Sequence, residues 1–170
     1  DALALGSKHV TADIASGLST SLEDAERIKI LYGSALAATT DGAELIDVPR
    51  LGETERRAPN HVPRSVLVGI MQPRLEEIFE IVRARLADSG IENVQGRRII
   101  LTGGGSQLAG MRDLARHVLD SPARLGRPIR LSGLPDAVSG PGFAAVSGLL
   151  TYMAERGEEM PAAILSQVTP

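Results

Sequence analysis

Arg98-Ile99-Ile100-Leu101-Thr102-Gly103-Gly104-Gly105-Ser106-Gln107-Leu108 is the stretch that decides how this chain is read. It begins as an apolar run suited to a buried strand and meets three successive glycines; a helical pattern then follows from about Leu108 to Leu119. Backbone without Cβ atoms lets a ligand come close, and amides that open a helix point toward anionic or polar groups. Strand, glycine turn and helix therefore raise a nucleotide site, although a purely structural turn is the commoner use of such glycines. Two familiar nucleotide motifs fail on detail. A Walker A loop needs Lys-Ser/Thr after its last glycine, and Ser106-Gln107 lacks the lysine. A dinucleotide fingerprint needs glycine where Leu108 stands and an acidic residue about twenty positions on, where the basic stretch Arg124–Arg130 lies.

The bulk properties narrow the class. A chain of 170 residues fits one compact domain or a pair of small subdomains. Apolar residues make up 43%, with only two Phe and two Tyr, so the core must be aliphatic. The absence of cysteine excludes disulfides and Cys-ligated metals. A net charge of −3 gives no polyanion-binding stripe, which argues against nucleic acid as a partner. No apolar stretch approaches the roughly 18 residues needed to cross a bilayer. Asp1-Ala2-Leu3-Ala4-Leu5 reads as a strand already under way, as expected of a fragment.

Ala2–Leu5 is expected to be a short strand ending at Gly6, followed by a helix over Val10–Leu18. Ser21 is placed to cap a helix running to Tyr32, with Asp24 completing a variant capping box and Gly33 as the stop. Thr39-Thr40-Asp41-Gly42 signals a turn, and Ala43–Val48 a strand. Glu53–Pro63 is polar and proline-punctuated, hence a loop. Met71, Leu75, Ile78, Phe79, Val82 and Leu86 recur at helical steps. Pro73 predicts two helices or a kink there, with the proline near a first turn. Asp88-Ser89-Gly90 closes this pattern. Arg127–Leu131 is read as a short strand, Ser132–Pro135 as a loop, and Pro141–Arg156 as a helix whose small residues admit close packing. The remainder to Pro170 reads as tail or linker.

Several constellations have both a plain and a functional reading. Glu26 and Lys29, three apart on one helix, make an ordinary intrahelical ion pair or together face a cleft and hydrogen-bond a nucleoside. Arg74, Glu76, Glu77 and Glu80 form the charged side of the long helix. That is a solvated face, unless Arg74 beside an apolar groove fixes a short acidic-apolar peptide. His9, His61 and His117 lie far apart with no partner at metal-ligand spacing, and Asp13 reads as structural rather than as a catalytic base.

Taken in order, these pieces resemble one family. Gly6-Ser7-Lys8-His9-Val10-Thr11-Ala12-Asp13-Ile14-Ala15, Ala25-Glu26-Arg27-Ile28-Lys29 with Gly33, and Gln72-Pro73-Arg74-Leu75-Glu76-Glu77-Ile78-Phe79 look like the FtsA branch of the actin/Hsp70 ATPase superfamily. So do Leu101–Leu108, Gly133-Leu134-Pro135 and the final Gly148-Leu149-Leu150-Thr151-Tyr152. The likeness extends to about Arg156.

The resemblance implies an α/β, actin-like second lobe. Residues 1–9 and 94–156 would be subdomain 2A with a partial ribonuclease-H-like core, residues 10–93 an inserted α+β subdomain 2B, and 157–170 a tail. Half of an ATP cleft is implied. Gly103, Gly104 and Gly105 would face the nucleotide, Gln107 would lie at the adenosine edge, Glu26 and Lys29 would contact ribose and adenine, and Gly6 would form a phosphate-side turn. Gly6-Ser7 stands where the family commonly has Gly-Gly, and the added Cβ could hinder phosphate approach.

Arg74 matches an arginine implicated in holding the C-terminal tail of FtsZ, with Met71, Ile78 and Arg64 as neighbouring candidates. The implied setting is bacterial septation, on the cytoplasmic face of the inner membrane. There the full-length parent, with ATP and Mg, would self-associate into filaments, meet other divisome proteins and attach through a C-terminal amphipathic helix. Without the phosphate loops of that parent, this chain is not expected to hydrolyse ATP and should bind nucleotide weakly or not at all. A lobe of another superfamily ATPase, a chaperone or pilus-assembly protein, fits the glycine loop and the Glu26/Lys29 pair equally. The Pro73–Phe79 segment and Gly133-Leu134-Pro135 favour the first reading. An oxidoreductase dinucleotide domain is the remaining alternative.

Overall fold

The computed structural model describes residues 2–51, 60–90, 96–129 and 135–155. Its elements are α1 (Ser7–Leu18), α2 (Leu22–Tyr32), β1 (Leu45–Val48), β2 (Asn60–Pro63), α3 (Arg64–Asp88), β3 (Ile99–Leu101), α4 (Met111–Leu119), β4 (Ala123–Leu125) and α5 (Ala144–Glu155). β1 and β2 pair antiparallel, from Leu45 opposite Pro63 to Val48 opposite Asn60. β3 and β4 pair parallel, from Ile99 opposite Ala123 to Leu101 opposite Leu125. This is a mixed α/β domain.

α3 is the centre of the packing. Leu67, Val68, Met71, Leu75 and Phe79 are its buried residues, and the helix packs on α1 to one side and α4 to the other. Val10, Ile14 and Leu18 of α1, Ala25 and Ile28 of α2, Ile46 and Val48 of β1, and Met111, Leu114, Ala115 and Leu119 of α4 complete one aliphatic core. A fully buried Leu or Ile side chain contributes about 1.5–3 kcal/mol, so this shared core holds the helices and both small sheets together.

Local chemistry accounts for several boundaries. Ser21 Oγ accepts from the Asp24 amide at 3.0 Å and starts α2. The return bond runs from the Ser21 hydroxyl to the Asp24 carboxylate at 2.8 Å, in place of the backbone donor of a true capping box. Gly33 ends α2, but its φ of −68° is open to any residue. Crowding is what requires glycine here: a Cβ would lie 2.3 Å from the Lys29 carbonyl oxygen and 2.8 Å from Met71 Cε.

The structure departs from the sequence reading at six places. Ala2–Leu5 forms no strand and belongs to neither two-stranded sheet. The segment read as loop down to Pro63 contains β2; its proline sits at the strand's end, where the next amide, of Arg64, donates to Glu44 at 2.8 Å. α3 runs unbroken past Pro73, which lies deep inside it rather than in a first turn. The bond lost is the one to the Gly69 carbonyl, and Gly69 is exposed, so water can replace the missing donor. After the glycines the chain makes a 3-10 turn over Gly104–Gln107, and α4 opens only at Met111. The strand after α4 is Ala123–Leu125, earlier than Arg127–Leu131; of that stretch 127–129 are outside any strand, and the rest falls outside the described residues. Finally, the last helix opens with a 3-10 turn over Pro141–Phe143, where Gly142 sits close to Gln107 and Gly104, and α5 itself begins at Ala144, leaving Val146, Leu149, Leu150, Tyr152 and Met153 exposed. Gly133, Leu134, much of Glu53–Pro63 and the tail 157–170 lie outside the described residues.

The turn at Asp41 conceals a buried ion pair between distant residues. Asp41 is 1% exposed; its carboxylate accepts from Arg64 Nη1 at 2.6 Å and from the Ala38 amide at 2.7 Å. Arg64 Nε donates to the Tyr32 carbonyl at 2.7 Å, so this pair ties α2, the turn and the start of α3 together. Removing one member of a buried pair strands the other. Asp41→Ala should therefore lower stability by about 3 kcal/mol, read as a lower urea midpoint at an unchanged denaturant slope.

Candidate functional site

A hollow of about 760 Å³ lies between the start of α1, the exposed side of α2, the middle of α3 and the glycine turn. Its lining includes Gly6, Ser7, Glu26, Lys29, Gly104, Gly105 and Gln107, with an apolar side from Val10, Ile30, Leu75, Ile78, Phe79 and Met111. That size, with apolar walls and a few converging polar groups, suits a small organic ligand.

The glycine wall is set by its backbone. Gly103 has φ +89°, a region side chains rarely adopt, and turns the chain out of β3. Its amide donates to the Pro141 carbonyl at 2.9 Å, and its carbonyl accepts from the Ser106 hydroxyl at 2.8 Å. These bonds fix the 3-10 turn and leave the Gly104 and Gly105 amides unclaimed among the described residues. A Cβ on Gly104 would meet nothing within 4 Å, whereas one on Gly105 would lie 3.6 Å from Ser7 Cβ. The turn thus stands close to the start of α1 and opens onto free space. Gly103 itself is not part of the lining.

Across the hollow, Lys29 is 6% exposed and its ammonium is enclosed by oxygen. Nζ donates to Glu26 Oε2 at 2.6 Å, Ser7 Oγ at 2.7 Å and Thr11 Oγ1 at 2.9 Å. Thr11 Oγ1 also donates to Glu26 Oε2 at 2.5 Å. Burial by itself raises the Glu26 carboxyl's pKa, but hydrogen bonds from Lys29 and Thr11 and the lysine's charge outweigh it and hold the value below the usual 4.5. The two walls are joined where the chain leaves α2: Ala35 N donates to the Ala109 carbonyl at 2.8 Å, and Ser34 bridges Ala109 in parallel.

The structure therefore brings Gly6, Glu26, Lys29, Gly104, Gly105 and Gln107 around one hollow. The Gly6 amide is engaged by His9 Nδ1 at 3.2 Å. Ser7 fills the space a second glycine would leave open, and its hydroxyl accepts from Lys29. The residues assigned to a peptide partner separate. Met71 is fully enclosed in the core and offers no surface. Ile78 lines the hollow, since the turn of α3 that carries it faces α4 and the glycine segment rather than the charged side. Arg64 is committed to Asp41. Arg74 remains partly exposed, with Nε on Asp13 at 2.5 Å and Nη1 on Glu77 at 2.6 Å. Hydrogen bonding to Asp13, that carboxylate's charge and Glu77 together raise the Arg74 pKa further. Asp13 is a structural partner of α3. Sequence reading missed Thr11 and the role of the Ser7 hydroxyl. Their signal was a pair of hydroxyls four apart on α1, matching the Glu26/Lys29 pair on the next helix. Among the described residues no group of three or more His, Asp or Glu is placed to hold a metal ion, and no helix is long and apolar enough to cross a membrane.

Residues 1–148 match the family described as Cell division protein FtsA. The chain is 48% identical over 152 residues to the cell division protein FtsA of Rhizobium meliloti strain 1021, covering 89% of this chain and 34% of that protein. Identity to the protein of the same name from Pseudomonas aeruginosa PAO1 is 41% over 143 residues, 84% of this chain and 34% of the relative. For that of Escherichia coli K12 it is 31% over 167 residues, 94% of this chain and 39% of the relative. The chain thus spans little more than a third of the length of these relatives.

Because the Glu26 pKa is lowered in the fold, its contribution to stability is present above the unfolded value of 4.5 and is lost as pH falls through the folded value. Glu26→Gln should flatten the acid limb of the stability–pH curve below that value, measured by thermal unfolding in a pH series.

Proposed function

This chain belongs to the FtsA family of cell division proteins, and from that premise we propose that it supplies one side of an adenosine-nucleotide cleft. The single observation carrying this reading is that Glu26, Lys29, Gly104, Gly105 and Gln107, from segments far apart in sequence, line one hollow. Gly104 and Gly105 present backbone without side chains, Gln107 contributes an exposed amide at the rim, and Val10, Ile30 and Phe79 give an apolar face for a base. An anionic or polar ligand fits the unclaimed amides of the turn. Its other face would be met by the rest of the family's longer chain. The division into subdomain 2A (1–9 and 94–156) and an inserted 2B (10–93), with 157–170 as tail, belongs to the same reading. The role is binding: Glu26, the one carboxylate of this lining among the described residues, is engaged by Lys29 and Thr11, so it is a poor base for phosphoryl transfer. ATP with Mg would be handled by the whole protein, at the division site on the inner membrane's cytoplasmic face, together with self-association and other divisome partners. Gly104→Leu tests the cleft directly, because its Cβ meets nothing in the fold and the new side chain enters the hollow. An unchanged melting temperature with ADP affinity reduced about tenfold or more is expected; undiminished affinity counts against the cleft.

From the same premise we propose that the FtsZ C-terminal tail docks on the charged side of α3. Support comes from Arg74, whose guanidinium is held in a defined orientation by Asp13 and Glu77 while staying partly exposed. Asp13 and Glu77 take three of the five guanidinium N–H donors, so a peptide carboxylate would use the remaining two, an exposed contact that should be weak and weaken further with salt. Met71 and Ile78 take no part in this version. Titrating the chain with an FtsZ tail peptide should give an affinity that falls about tenfold on Arg74→Glu, while the same substitution leaves ADP binding unaltered.

A further inference from the structure

The net charge of −3 hides a strong local excess of the opposite sign. Between Arg83 and Arg130 the sequence holds nine arginines against four acids, Asp88, Glu92, Asp113 and Asp120. Two of these arginines meet on the outer face of the β3–β4 sheet. Ile99, Leu101 and Ala123 pack against the aliphatic core, so strand alternation turns their neighbours Arg98, Ile100 and Arg124 the other way. All three are exposed, Ile100 to 53%. Ile100 lies between Arg124 and Gly126 of the adjoining chain, where a Cβ on the glycine would stand 2.6 Å from Ile100 Cγ2. Beyond Gly126 come Arg127 and Ile129, both exposed, the isoleucine to 79%. Among the described residues Arg98, Arg124 and Arg127 meet no carboxylate; Arg124 reaches only the Leu125 carbonyl, at 3.5 Å.

A parallel sheet covered by protein on both faces has strands that read as near-continuous apolar runs. This sheet differs, because its outer face sets two guanidiniums beside a single isoleucine. We propose that the outer face of β3–β4, together with Arg127 and Ile129, rests on an anionic lipid surface. The residues define the partner's chemistry. Guanidiniums without a counter-ion of their own pair bidentately with phosphate oxygens. Their aliphatic stems lie along an apolar boundary while the charged ends stay in the polar layer. Ile100 and Ile129, exposed among them, enter that boundary, the same pairing of basic and apolar side chains that holds a helix in a membrane interface. A nucleic acid would engage the arginines and leave both isoleucines in water. This contact goes beyond the cleft reading and does not depend on it, since Arg98, Ile100, Arg124, Arg127 and Ile129 take no part in lining the hollow.

The test is co-sedimentation of the full 170-residue chain with vesicles of equal parts phosphatidylglycerol and phosphatidylcholine, beside vesicles of phosphatidylcholine alone. Binding is expected to the anionic vesicles only, and should weaken as salt is raised. Arg98→Gln, Arg124→Gln and Arg127→Gln should each lower the partition about fivefold. Ile129→Ser should lower the binding that persists at high salt. Arg98 and Arg127 lie outside the strands, so their variants carry the test should Arg124→Gln fail to fold. Arg116→Gln removes the same charge from the solvent side of α4, across the sheet, and should leave binding unchanged. Failure of the unaltered chain to bind anionic vesicles overturns the proposal. A loss in Arg116→Gln equal to that of the other arginine variants does the same, because binding would then follow net charge rather than this face. A short DNA duplex bound in preference to the vesicles, with Ile129→Ser without effect, assigns the arginines to nucleic acid instead.

Discussion

One helix has to satisfy two neighbours at once, and the rest of the structure follows from that constraint. The buried stripe Leu67, Val68, Met71, Leu75 and Phe79 faces α1 on one side and α4 on the other, so neither can shift without opening the common core. α2 rides on α1, with Ala25 and Ile28 buried there, and is tied to α3 by Met71 pressing against Gly33. The glycine turn rides on α4. The distance between Glu26 and Gly105 is thus not fixed by any direct bond. It is set by how closely aliphatic side chains pack against α3, with the Ser34–Ala109 bridge as a backbone link at the rim.

This division between core and rim explains the character of the hollow. Its apolar floor is an extension of the aliphatic core, since Leu75 and Phe79 belong to both. Its polar wall is a side-chain network that a low dielectric makes costly to break, because an unpaired buried ammonium would lose its hydration without compensation. A rigid floor and a saturated wall leave the glycine turn as the side with unclaimed backbone donors.

What the sequence disclosed follows the range of the forces involved. The start of α2 was legible because Ser21 and Asp24 cap within one turn, and the end of α3 because Asp88-Ser89-Gly90 stops a helix locally. The family, too, was readable from ordered motifs. β2 escaped notice because Asn60–Pro63 has no strand-like composition and exists only through its pairing with β1. The Asp41–Arg64 pair joins residues 23 positions apart, and no periodicity announces it. The late opening of α4 depends on Gly103 and Gly110 both adopting positive φ, which the string of glycines allows but does not dictate. Met71 lies in the core and Ile78 along the hollow for a related reason. A helical stripe says which residues share a face, not which neighbour the face meets.

Pro73 carries a mechanical consequence. A straight helix resists flexing because each rung of its hydrogen-bond ladder must stretch, and at the level of Gly69 that rung is already missing. Below this level α3 leans on the small hairpin sheet; beyond it, Leu75, Ile78 and Phe79 form the floor beneath the hollow. The stiffness of α3 beside that floor therefore rests on the packing of Leu75 and Phe79 in the core rather than on an unbroken ladder.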